Sequence, residues 1–154
     1  MKPFLFSAAA MFVAIAVAAG QQKAAPEKTK DSHLPAGYTI PAQEVQRANP
    51  VKPTEVSIAA GAKYYSSQCA MCHGKDGDGK GDLAVQMELK ISDYRKPESL
   101  APFTDGELFY ILTNGMGKMV GEGERTPEEK KWNVINYLRS LSKTNEKEKP
   151  AANP

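Results

Sequence analysis

The chain contains two cysteines, and both lie within residues 69–73, which read Cys-Ala-Met-Cys-His. Cys69 and Cys72 are three positions apart, and His73 follows the second of them directly. This C-x-x-C-H spacing is the signature of covalent c-type haem attachment, in which two thioethers fix the porphyrin and the histidine binds the iron. One turn of irregular helix would place both sulfurs on one side of the chain. The spacing therefore predicts one haem c, bound covalently through Cys69 and Cys72, with His73 as an axial ligand.

Two other uses of this segment have to be weighed against haem attachment. A structural zinc site needs about four nitrogen or sulfur ligands, and beyond these three side chains the sequence offers only a distant His33. A thioredoxin-like dithiol is the stronger alternative, because C-x-x-C is also its motif. That motif follows a strand and opens a helix, whereas this one follows a helical pattern and precedes the glycine-rich residues 74–81. Haem attachment is the favoured interpretation.

Methionines in the segment 113–125 are candidates for a second iron ligand. Four glycines among these 13 residues predict a loop that can approach a flat cofactor without side-chain clashes. A methionine in such a loop is not a core residue, which favours ligation by Met116 or Met119. Met87 falls in a helical pattern and is expected to pack in the core, and Met71 is expected to point away from the iron.

Helical patterns flank both candidate segments. The first predicted helix covers residues 54–68, with a stripe that ends at the attachment motif and consists of Ile58, Gly61, Ala62, Tyr65 and Cys69. Glycine within a helix costs about 1 kcal/mol relative to alanine, so Gly61 predicts a close crossing with another helix.

Capping boxes predict two later helices. Residues 104–107 read Thr-Asp-Gly-Glu and open a helix that ends near residue 114, and residues 126–129 read Thr-Pro-Glu-Glu and open a helix over 128–141. A short helix is expected over residues 82–90. Because strand-like alternation is missing, the sequence predicts an all-helical domain over residues 54–143.

The two ends of the chain differ in composition from this domain. Residues 1–20 contain an apolar run behind Lys2 and small residues at its end, which predicts a signal peptide or, if uncleaved, a membrane anchor. Residues 21–53 are rich in proline and lysine and are expected to form a linker or a lead-in that lies against the domain. His33, within them, is expected to be solvated. Residues 144–154 are expected to be disordered.

Charge gives no support for a nucleic-acid partner. The whole chain has a formal net charge of +2, but residues 54–143 carry 12 Lys or Arg against 13 Asp or Glu. The positive excess therefore lies in the ends.

The acidic spacing of Asp76, Asp78 and Asp82 suggests a calcium loop, but the pattern fails. Lys80 occupies the fifth position of an EF-hand pattern, where an oxygen ligand is needed, and Met87 occupies the twelfth, where the pattern has glutamate. We interpret the segment as a flexible turn.

Taken together, the motifs over residues 54–143 resemble the class I c-type cytochromes, in particular the small bacterial monohaem cytochrome c domains. The residues that carry the resemblance are Gly61, Tyr65, the 69–74 motif, Asn114-Gly115, Met119, Trp132 and the ending Tyr137-Leu-Arg-Ser-Leu. The resemblance implies a cytochrome c fold of about four to five helices around one haem, with Tyr65 packed against Tyr137. It places the distal iron ligand at Met119, with Met116 as the alternative. Val120 departs from the proline common after that methionine, which bears on the rigidity of the loop.

Histidine and methionine together would fill both axial positions of the iron and leave none open for a substrate. We therefore expect an electron-transfer protein and not an enzyme: an exported, periplasmic one-electron carrier between a donor and an acceptor of a respiratory chain. Two alternatives stay open. One is a haem enzyme or gas sensor with a displaceable sixth ligand, and the other is a fixed subunit of a quinol-oxidising or dehydrogenase complex.

Overall fold

The computed structural model describes residues 33–148, with side chains to residue 142. Within that range nearly all of the regular structure is helical. The elements follow in the order α1 (Ala42–Val45), α2 (Glu55–Gln68), α3 (Ala70–His73), α4 (Asp82–Gln86), α5 (Pro97–Leu100), α6 (Asp105–Asn114), strands β1 (Gly115–Met116) and β2 (Met119–Val120), a 3-10 turn (Gly123–Arg125) and α7 (Glu128–Glu148). None of the helices in residues 33–148 is both long enough and apolar enough to cross a membrane.

The predicted capping box at residues 104–107 is confirmed, and side chains cap the starts of both α2 and α6. Thr54 accepts a hydrogen bond from the Ser57 N–H at the start of α2 (3.2 Å). At the start of α6 the Thr104 hydroxyl accepts from the Glu107 N–H (3.1 Å) and the Glu107 carboxylate accepts from the Thr104 N–H (2.7 Å). This reciprocal pair satisfies two backbone donors that the helix itself leaves free.

Helices α2 and α7 cross at Gly61, as the sequence predicts. A Cβ atom at this position would overlap the backbone carbonyl of Asn133 on α7 and press on Cβ of Tyr137. The absence of a side chain therefore lets the two helices touch. The rings of Tyr65 and Tyr137 pack next to this point, with centroids 5.1 Å apart. The main core cluster forms around the crossing and consists of Tyr65, Leu100, Leu112, Val134 and Leu138.

Helix α4 is shorter than the expected 82–90. Glu88 has a left-handed backbone (φ 53°), and the Leu89 N–H donates to the Ala84 carbonyl (2.8 Å) while the Glu88 N–H donates to Val85 (3.2 Å). This pair of bonds is a Schellman motif, which ends a helix. The prediction that Met87 packs in the core is wrong, because Met87 follows the helix and is 49% exposed.

The last helix continues beyond its expected end at residue 141. Its backbone is helical to Glu148, where the sequence pattern predicts a disordered tail. Residues 142–149 contain no glycine or proline, and Pro150 is the first breaker, so the sequence supplies no stop signal within that stretch. Residues 1–32 and 149–154, including the predicted signal peptide, lie outside the described residues.

The described part of the lead-in packs on the domain. Ile40 is buried, the Asn49 side-chain amide donates to the Asn136 side chain on α7 (2.9 Å), and Arg47 pairs with Glu128 (2.7 Å). The Thr104 hydroxyl also donates to the Val45 carbonyl (2.7 Å). These contacts join residues 38–53 to helices α6 and α7.

His33 is not solvated, so this prediction is wrong. Its side chain is 19% exposed, and Nε2 lies 3.3 Å from Oε1 of the buried Glu107. Its ring meets the Phe103 ring edge-on, with centroids 4.6 Å apart. The partners of His33 are far along the chain, and no local pattern predicts them.

Candidate haem site

The attachment segment is a tight turn that continues directly from α2. Cys69 separates α2 from α3, and its carbonyl accepts hydrogen bonds from the N–H groups of Cys72 (3.1 Å) and His73 (2.9 Å). This agrees with the expected single turn of irregular helix. Both cysteines are partly buried free thiols.

The His73 imidazole has the properties of a metal ligand. Its ring stacks on Tyr94 with centroids 5.2 Å apart and an interplanar angle of 21°, and its buried Nδ1 has no hydrogen-bond partner among the described residues. Burial lowers the pKa of the His73 side chain, so the ring is neutral at neutral pH. Neutral imidazole is the form that binds metals, and buried polar atoms rarely go without a partner in proteins. These features fit an iron ligand.

Hydrogen bonds from both sides hold the end of the attachment segment. The Tyr65 hydroxyl on α2 donates to the Gly74 carbonyl (2.8 Å), and the Gly79 N–H donates to the His73 carbonyl (2.8 Å). The family resemblance implies the contact of Tyr65 with Tyr137 but not this hydrogen bond. The role of Tyr94 is also missed, because the irregular segment that contains it has no periodicity to place the ring.

The Cys69 thiol is unsuited to redox exchange or metal binding. Burial, with electrostatic repulsion from the nearby Glu122 and Cys72 side chains as a smaller cause, raises its pKa to about 12. Redox-active dithiols instead depend on a lowered pKa, since the thiolate is the reactive form. The surroundings of Cys69 therefore favour haem attachment over the thioredoxin-like alternative.

Met116 and Met119 face each other across a short hairpin. Strands β1 and β2 are antiparallel, with Met116 opposite Met119 and Gly115 opposite Val120. A two-residue turn joins them, and Gly117 takes the positive φ (61°) that the first position of such a turn requires. Residues directly opposite each other lie on the same face of a sheet, so the register alone does not separate the two methionines.

Packing against the core distinguishes Met119 from Met116. Met119 is partly buried and contacts the main core cluster, as do Cys69 and Tyr94. Among the described residues, Met119 and not Met116 takes part in this packing. The structure thus brings Met119 to the same cluster as the first attachment cysteine and the aromatic ring that stacks on His73.

A buried lysine connects both ends of the hairpin. The ammonium group of Lys131 on α7 donates to the Thr113 hydroxyl before β1 (3.1 Å) and to the Gly123 carbonyl after β2 (2.7 Å). Lys131 is 3% exposed, and burial lowers its pKa. A buried lysine that makes two such bonds restrains the loop at the points where it leaves and rejoins the helices.

A carboxylate ties the hairpin to α2. Glu122 accepts hydrogen bonds from the hydroxyls of Tyr64 (2.8 Å) and Thr126 (2.9 Å), and Arg125 lies 3.6 Å away. Burial acts to raise the pKa of Glu122, but these hydrogen bonds and the charge of Arg125 outweigh it and lower the pKa below its usual value of 4.5. Neither Glu122 nor Lys131 carries a sequence signal for this role.

Comparison with known proteins decides the family. The family model described as "Cytochrome C oxidase, cbb3-type, subunit III" matches residues 56–138, which include the attachment motif and both methionines of the hairpin. The chain belongs to this family of c-type cytochrome domains. The predicted class, a haem-binding electron-transfer domain, is thereby confirmed.

A solved structure supports the fold of this cytochrome. A chain of the reducing HAO-like protein complex of Kuenenia stuttgartiensis is similar to it, with a TM-score of 0.52 and 25% sequence identity. The alignment covers 60% of the cytochrome and 46% of that chain, so the cytochrome spans less than half of its length. The predicted all-helical cytochrome c fold is confirmed, with the two-residue strands of the hairpin as an addition. No curated protein matches the cytochrome.

Proposed function

We propose that this cytochrome is an exported one-electron carrier with one haem c attached through Cys69 and Cys72, and with His73 and Met119 as iron ligands. When bound, the haem supplies a reversible one-electron change at its iron. The observation that carries the proposal is the packing of Met119 on the core cluster that Cys69 also contacts. That packing holds a thioether close to the attachment segment.

The two ligand side chains determine the kind of chemistry. A neutral His73 and a partly buried Met119 would fill both axial positions, so a substrate would find none open. A thioether ligand favours ferrous iron, and the apolar cluster around it excludes water, which also raises the reduction potential. Such an arrangement favours electron transfer over substrate activation.

Absorption spectra of the oxidised and reduced holoprotein test attachment, ligation and redox activity together. We expect a reversible one-electron change and a near-infrared Met-to-iron charge-transfer band in the ferric form. Carbon monoxide should bind the ferrous protein slowly or weakly, because Met119 must first leave the iron. Rapid stoichiometric binding of carbon monoxide would instead indicate a gas sensor or haem enzyme.

The contact surface for redox partners is proposed at the edge that carries Cys69, Cys72 and the exposed Lys75. Attachment residues of a small cytochrome lie near the rim of the domain, where electrons can enter and leave. Electron-transfer encounters bury small areas, below about 1,200 Å². The donor and acceptor would therefore bind transiently.

Membership in a larger complex is the second candidate, because the similar solved structure is a chain of a complex. In such a complex the proline-rich lead-in could bind the other subunits, but its described part is held on α6 and α7 by contacts such as those of Val45 and Asn49. Copurification with other chains after mild detergent extraction would support the complex. Recovery as a free periplasmic monomer would support the carrier.

Export is proposed from the apolar segment within residues 1–20. Attachment of haem c belongs with proteins that mature outside the cytoplasm. The mass of the mature holoprotein should lack this segment and include one haem. A full-length mass in the membrane fraction would indicate an uncleaved anchor.

A further inference from the structure

The hairpin of β1 and β2, which carries Met116 and Met119 and is called the methionine hairpin below, is very short. Each strand contains two residues, and within residues 33–148 the sheet consists of these two strands alone. Two-stranded ribbons are marginally stable in water without packing against other elements. The position of Met119 therefore depends on contacts from outside the hairpin.

One of these contacts comes from the lead-in. The Tyr38 hydroxyl donates a hydrogen bond of 2.7 Å to the carbonyl of Gly115, the first residue of β1. Gly115 pairs with Val120, the neighbour of Met119. The Tyr38 ring meets the ring of Tyr110 on α6, with centroids 6.4 Å apart and an interplanar angle of 75°. The bond thus holds β1, the strand that pairs with β2, and β2 carries Met119.

The lead-in segment that follows Tyr38 is itself attached to the rest of the domain. Two residues later Ile40 is buried, and the chain is then joined to α6 through the Val45 carbonyl and to α7 through Arg47 and Asn49. A hydroxyl presented by an anchored segment can hold a carbonyl in one place. All of these lead-in residues precede the 56–138 region that matches the family.

We propose that Tyr38 is a positioning residue for the iron ligand Met119: the lead-in clamps the methionine hairpin through the Tyr38 hydroxyl. This inference rests on the proposed ligation by Met119. Contacts around a ligand that fix its orientation tune how tightly it binds the metal. Loss of the hydroxyl should therefore make Met119 easier to displace without changing the ligand itself.

The test is a titration of the ferric holoprotein with imidazole, followed by loss of the near-infrared Met-to-iron band. In Tyr38→Phe the ring stays and the hydroxyl is lost. We expect the apparent Kd for imidazole to fall by about 2- to 12-fold, the equivalent of one hydrogen bond. If the wild-type protein has the band but Tyr38→Phe has the same Kd for imidazole, the role of Tyr38 is refuted and the ligation by Met119 is not. Absence of the band from the wild-type protein would overturn the proposed ligation and this inference with it.

Two variants separate positioning from general loosening of the lead-in. Tyr110→Phe removes a hydroxyl from the ring that Tyr38 contacts, and it should leave the Kd within about twofold of the wild-type value. Asn49→Ala removes one of several bonds that join the lead-in to α7, and it does not touch the hairpin. It should lower the denaturant midpoint of unfolding, but it should leave the Kd for imidazole within the same range, because Ile40 and the bonds of Val45 and Arg47 still hold the segment that carries Tyr38. If Asn49→Ala lowers the Kd as much as Tyr38→Phe does, Tyr38 has no specific positioning role.

Discussion

The attachment segment and the methionine hairpin carry the two proposed iron ligands, but different kinds of contact hold them. Backbone hydrogen bonds within one turn fix residues 69–73, and the long helix α2 leads straight into that turn. Side chains from three other parts of the chain hold the hairpin, namely Tyr38 from the lead-in, Tyr64 from α2 and Lys131 from α7. The first ligand is thus placed by local structure and the second by tertiary structure.

This difference has an energetic consequence. The proposed covalent attachment would make the position of His73 independent of any single side-chain contact, because the thioethers and the turn would act together. The thioether of Met119 has no such covalent link. Each hydrogen bond that supports the hairpin therefore changes the free energy of holding this side chain at the iron by about 0.5–1.5 kcal/mol. The methionine side is therefore the place where small changes in sequence can adjust the redox properties of the cytochrome.

The largest expected effect follows from removing the covalent link. Cys69→Ala combined with Cys72→Ala should abolish haem that survives a denaturing gel, because no thioether can form. Haem staining of the gel measures this directly, with Met116→Ala as the control that should stain like the wild-type protein. Staining in the double variant would contradict attachment at these cysteines.

Replacement of the methionine ligand should leave the haem in place and change its ligation. In Met119→Ala we expect complete loss of the near-infrared Met-to-iron band and rapid binding of carbon monoxide to the ferrous form, because the sixth position opens. Met116→Ala is the matched control on the opposite strand and should keep the band. If the band disappears in Met116→Ala and persists in Met119→Ala, the ligand is Met116.

A change at the helix crossing should affect folding without affecting ligation. Gly61→Ala forces a Cβ against the backbone of α7 and should lower the free energy of unfolding by about 1–3 kcal/mol, even though alanine is the better helix former. Denaturant unfolding measures the loss, and the Met-to-iron band should persist in the folded variant. Ser66→Ala, exposed on the same helix, should change stability by less than about 0.5 kcal/mol. A more stable Gly61→Ala protein would mean that the helices do not touch at this point.

The sequence predicts the parts of the cytochrome in which neighbours along the chain decide the structure. The C-x-x-C-H turn, the capping boxes and the glycine at the helix crossing are all local patterns. The hairpin is missed because two-residue strands are too short to alternate. The contacts of Tyr38 with Gly115 and of His33 with Glu107 join residues 77 and 74 positions apart, so they depend on the completed fold.

The smallest effect is expected at Glu122, where the two regions meet. Its pKa is lowered in the folded protein, so its ionised form stabilises the fold above the usual pKa of 4.5, and this contribution is lost as the pH falls through the lowered value. Glu122→Gln should therefore lower the free energy of unfolding by about 1 kcal/mol or less at pH 7, and the difference from the wild-type protein should shrink below about pH 4.5. Urea unfolding at pH 7 and pH 3.5 measures both values.

The exposed Glu124→Gln should change stability by less than about 0.5 kcal/mol at either pH. A difference that is the same at both pH values would mean that the Glu122 charge does not join the hairpin to α2, and the two iron-ligand regions would then be coupled through the apolar core alone.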